Sequence, residues 1–118
     1  MYFENKPAPT PARPGRKGVR ERLAGVLLAL AGGHGRITAH SEKAWASITF
    51  AGARHRVELV FEGTEAVEAG ECFIAFLPEH EFAIPGQLVA DAAVVEVASV
   101  VDPARLTVVC ELLLLEDG

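Results

Sequence analysis

Residues 35–63 read GRITAHSEKAWASITFAGARHRVELVFEG, and whether this stretch is helix or sheet decides the fold. Ala44, Ala46, Ile48 and Phe50 alternate with Trp45, Ser47 and Thr49, and farther on Val57, Leu59 and Phe61 alternate with Arg56, Glu58 and Glu62. A period of two is the signature of strands with one face toward a core. Ile37–Ala39 is a short β-prone run, HSEK at 40–43 has turn composition, and AGAR at 51–54 supplies the glycine that a hairpin favours. The expectation is a meander of two or three antiparallel strands.

The flanks change period. Before the stretch, Val19, Leu23, Val26, Leu27 and Leu30 recur at helical spacing, and Gly32-Gly33 ends the run where glycine enters the left-handed region at no cost. After it, Thr64 reads as an N-cap, and Ala66, Ala69, Cys72, Phe73, Phe76 and Leu77 form a second stripe that Pro78 stops. Residues 87–101 are rich in Val and Ala, DPAR at 102–105 is a turn, and Leu106–Leu115 is a last strand. The expected fold is therefore α+β, in the order α-β-β-(β)-α-β-β. Two helices pack on one face of an antiparallel sheet of four to five strands. A shift of 46 residues pairs Leu27 with Phe73, Leu30 with Phe76 and His34 with His80, which raises an internal duplication without deciding it.

The chain of 118 residues is half hydrophobic, enough for one packed domain. Residues 1–15 are set apart: Pro7, Pro9, Pro11 and Pro14 fall within PAPTPARP and read as an extended arm, leaving 16–118 as the folded domain. Residues 1–22 hold six basic side chains against Glu4 and Glu21, whereas the remainder holds five basic and fourteen acidic ones. An acidic body repels phosphate backbones, so the folded part is not expected to bind nucleic acid. The apolar run after RKGVRER is too short to span a membrane, which takes about 20 residues. Cys72 and Cys110 form no CxxC and read as buried free thiols, pointing to a cytoplasmic protein.

Chemistry-bearing motifs are sparse. FLPEHEFAIPG at 76–86 sets His80 between Glu79 and Glu81, but alternate residues of an extended chain face opposite sides, so the three cannot converge. His34, His40, His55 and His80 show no HxH, HxxxH or HExxH spacing, and no metal is expected. There is no G-x-S-x-G, and AGGHG ends a helix where a phosphate cradle begins one, so neither a catalytic residue nor a cofactor is expected. Asp91 and Glu96 are the only acids in LVADAAVVEVASVV, and their opposite parity sends one toward the helices unless a bulge intervenes.

Trp45 falls on the face opposite Ile48 and Phe50, and the last strand is apolar on both faces, with Val109, Leu113 and Leu115 on the side that two helices leave bare. These four residues are the expected interface of a homodimer, or of a contact with another protein. The function expected is that of a small cytoplasmic binding or assembly module, non-enzymatic and self-associating. The alternative is a small-ligand-binding protein or enzyme with its site near His34, His80 and Asp91.

Overall fold

A computed structural model describes residues 18–117. Helix α1 (Val19–Leu30) leads into strands β1 (Gly35–Ala46) and β2 (Ala51–Glu62); helix α2 (Thr64–Phe76) and a 3-10 turn (Leu77–Glu79) lead into β3 (Gln87–Val100) and β4 (Arg105–Glu116). The strands form one antiparallel sheet in the order β1-β2-β4-β3. The α-β-β order thus occurs twice. The arm, residues 1–15, lies outside the described residues.

The first helix follows its sequence signals. Glu21 Oε1 accepts from the Gly18 amide at 3.1 Å, an acid at the positive end of the helix. At the other end Gly32 and Gly33 take φ of 68° and 78°, and the Gly33 amide donates back to the Leu28 carbonyl at 3.1 Å. The second helix departs in detail. Gly63, with φ of 100°, holds the cap position and Thr64 is the first helical residue.

The inner face carries the core. Leu23 and Leu27 of α1 and Phe73 and Leu77 from the second helical segment are fully buried against Val57, Leu59 and Phe61 of β2 and Val108, Cys110, Leu112 and Leu114 of β4. All belong to one cluster, so both helices lie on the same side of the sheet. Phe61 and Phe73 meet with ring centroids 6.0 Å apart. A strand of 12 residues runs about 40 Å, whereas a 12-residue helix spans about 18 Å. Each helix therefore covers less than half the length of the strands beneath it.

Three local expectations are corrected. HSEK is not a turn but part of the continuous β1, so among the described residues the sheet has four strands. The hairpin turns at Ser47–Phe50 rather than at AGAR: the Ser47 amide donates to the Phe50 carbonyl at 2.7 Å, and Ser47 Oγ accepts from the Phe50 amide at 3.0 Å. That serine closes the turn with its own side chain. It places Ile48 and Phe50 at the exposed tip instead of on the core face. On α2 the buried stripe is Ala66, Gly70 and Phe73, continued by Leu77, while Cys72 and Phe76 are exposed.

Candidate functional site

The outer face, which no helix among the described residues covers, is ordered in rows by the strand register. Trp45 lies opposite Gly52, Gly52 opposite Leu115, and Leu115 opposite Leu88. The next row on this face runs Lys43, Arg54, Leu113, Asp91. Asp91 and Glu96 both belong here in spite of their parity, because β3 bulges between Val89 and Asp91 and again between Val94 and Glu96. Each bulge resets the alternation by one residue.

Charges knit the middle of this face. Arg56 binds Glu111 at 2.7 Å and Glu96 at 3.2 Å, and its hydrogen bond with Glu111, more than any other influence, raises its affinity for its proton. Glu62 sits between Arg36 at 3.1 Å and Arg105 at 3.5 Å, and the Arg36 hydrogen bond lowers its pKa. These pairs are exposed, and their contribution is to orientation more than to stability.

The interface candidates divide. Trp45 is half-buried on the outer face, as its parity indicates. Val109, Leu113 and Leu115 are on that face too, but neighbouring strands already reduce them to 6%, 9% and 5% exposure in the single chain. The bare apolar surface lies elsewhere. Of the eight large apolar side chains exposed among the described residues, Leu88, Val95, Val97, Val100 and Val101 are on β3 or in the turn after it. The signal was present in the sequence, since β3 is the strand that combines an apolar composition with an edge position; only the strand order was missing.

The ligand candidates also divide. His80 and Asp91 meet at a depression of about 180 Å³ beside β3, where His80 packs edge-on against Phe82 with ring centroids 4.7 Å apart. His34 is not among its lining residues; it immediately precedes β1, the opposite edge of the sheet. Glu79, His80 and Glu81 are all exposed, and only His80 of the three lines the depression.

Sequence reasoning missed one constellation. Glu42 of β1 lies opposite His55 of β2, and His40, one step along the same face, brings its Nε2 within 3.0 Å of His55 Nδ1. Arg20 of α1 pairs with Glu42 at 3.2 Å and donates to the His40 carbonyl. His55 is only 2% exposed, and its pKa is lowered, chiefly by burial. The His40 pKa falls to about 4 through burial first, then the Arg20 guanidinium and His55, with Glu42 opposing. The hairpin register alone would have found this pair, had the turn been placed at Ser47–Phe50. Its chemistry is limited, because each imidazole spends one nitrogen on the other. Among the described residues no group of three or more His, Cys, Asp or Glu side chains is arranged to hold a metal ion.

Cys110 is buried, donates to the Val57 carbonyl at 3.7 Å, and has its thiol pushed up to about 12 by burial, which rules it out as a nucleophile near neutral pH. No helix among the described residues is long and apolar enough to cross a membrane.

No family model and no curated protein matches the sequence. Among solved structures, a chain from the virion of a native gene transfer agent (GTA) particle is similar, with a TM-score of 0.53 over 84% of this chain and 92% of that one, at 15% identity. At that identity the likeness is one of fold.

Proposed function

We propose that this chain is a small, non-enzymatic assembly module that acts by associating with copies of itself, in the cytoplasm. The observation that carries the reading is the concentration of exposed apolar side chains on β3, an edge strand, next to a sheet face that carries no helix among the described residues. Apolar area left in water costs about 25 cal/mol per Å², and an exposed, long, apolar edge invites another strand. The virion chain of similar fold supports the reading, since a virion is an assembly of many subunits. Two free thiols, one of them exposed, suit a reducing compartment. A symmetric homodimer through Trp45, Val109, Leu113 and Leu115 is the simplest form of association, but the burial of the last three within one chain leaves Trp45 as its main contributor. Light scattering at micromolar concentration tests the proposal: a mass above the 12.6 kDa of one chain is expected, and a monomer up to about 100 µM, where even weak contacts would register, overturns it.

A second reading, a small-ligand site, is favoured by the depression that joins His80 and Asp91. It predicts that a ligand shifts the His80 ring resonances and that Asp91→Asn abolishes the shift.

A further inference from the structure

The two edges of the sheet are chemically different. On the outer face, β1 presents Arg36 and Lys43, whereas β3 presents Asp91 and Glu96. Arg36 and Glu96 have ion-pair partners within the chain, Glu62 and Arg56. Lys43 and Asp91 have none among the described residues, and they close opposite ends of one row across the sheet, Lys43–Arg54–Leu113–Asp91. The row beside it ends in Trp45 on one edge and in the half-exposed Leu88 on the other.

Neighbouring strands alternate in direction, so with four strands β1 and β3 run opposite ways. A second copy set beside the first in the same orientation therefore meets β3 antiparallel with its own β1, and the helices of both stay on one side. We infer that copies of this chain join head to tail, the β3 edge of one against the β1 edge of the next, with Asp91 facing the next copy's Lys43 and Leu88 facing its Trp45. This rests on the self-association reading above and names the surface it uses.

Charge decides between this arrangement and the symmetric ones. Pairing β3 with β3 brings together two copies of an edge whose only charges are Asp91 and Glu96, and pairing β1 with β1 brings Arg36 and Lys43 together on the outer face. Like charges across a strand pair are destabilising, and opposite ones contribute roughly 0.2–1 kcal/mol. The contact has a defined extent. Arg20, bound to the His40 carbonyl and to Glu42, guards the centre of β1, so pairing is confined to its Ser41–Ala46 half. On β3 the matching half is Leu88–Ala93, flanked by the Pro78–Phe82 segment. That segment makes no backbone hydrogen bond to the strand among the described residues. On its inner face the incoming half of β1 presents Glu42, held back by Arg20 of its own chain, and Ala44 and Ala46, side chains small enough to pass the segment. A head-to-tail contact closes into a ring or continues as a filament, and does not stop at two.

Oxidative cross-linking in a Cys72→Ala background tests the arrangement, because Cys72 is the exposed native thiol and Cys110 is buried. Opposed residues of an antiparallel pair lie at disulfide distance. Lys43→Cys combined with Asp91→Cys is expected to give a ladder of dimer, trimer and higher species, and neither single variant is expected to cross-link. A dimer from Asp91→Cys alone would put β3 against β3 and overturn the inference. So would an uncross-linked double variant that light scattering still finds associated, which would leave self-association standing through another surface. Absence of association for the parent chain would remove both readings. Lys43→Asp should weaken association about tenfold, and Lys43→Asp with Asp91→Lys should restore it; a double exchange as weak as the single one contradicts the pairing.

Discussion

His40 and His55 show how a residue's chemistry is set by what folds over it. Both imidazoles hold pKa values below that of a free histidine, His40 about 4, with burial as the leading cause. Between that value and the ordinary 6.5 the unfolded chain binds more protons than the folded one, so stability rises with pH through this window and falls as pH drops through it. The thermal midpoint should decline on acidification from pH 7 to about 4, and His40→Gln should flatten that decline; an unchanged slope would mean that His40 titrates normally. Gly52 makes a second case. Its sequence setting suggests a turn, yet it lies inside β2, where a Cβ would strike the Leu114 carbonyl oxygen of β4. Gly52→Ala should cost about 1–3 kcal/mol by overpacking. Gly25→Ala, on an exposed helix position with nothing within 4 Å, should stabilise by about 1 kcal/mol. Chemical denaturation of the two variants checks both signs.

At the scale of elements, the helices, the last strand and the alternation in 35–63 were legible because each rests on local periodicity. What was not legible depends on contacts distant in sequence. The stripe on α2 was misread at Cys72 and Phe76 because Gly70, which packs against Phe61 and Leu106, has no side chain to mark its face. Phe73→Ala should therefore cost about 3–5 kcal/mol, whereas Cys72→Ala and Phe76→Ala should stay within about 0.5 kcal/mol, by urea denaturation. Equal losses at Phe73 and Phe76 would restore the stripe expected from sequence. The bulges at Ala90 and Val95 were likewise invisible: nothing in LVADAAVVEV says that β4 pairs past two residues of β3, although the opposite parity of Asp91 and Glu96 signalled that a bulge was one of two outcomes. Of the ligand candidates, His80 and Asp91 line one depression, while strand order puts His34 at the far edge of the sheet, which no local pattern in the sequence reveals.

The whole molecule is a sheet with one insulated face and two unlike edges. Core residues from both helices and both central strands account for the fold, while five of the eight exposed large apolar side chains among the described residues lie on β3 and the turn after it. The central claim is that copies associate through these unlike edges, with Leu88 the exposed apolar residue of β3 inside the contact, and that association does not stop at two. Sedimentation velocity over a series of loading concentrations measures this directly. Species at successive multiples of 12.6 kDa, extending beyond the dimer and shifting upward with concentration, are predicted. A single boundary at the monomer mass across the series would contradict it.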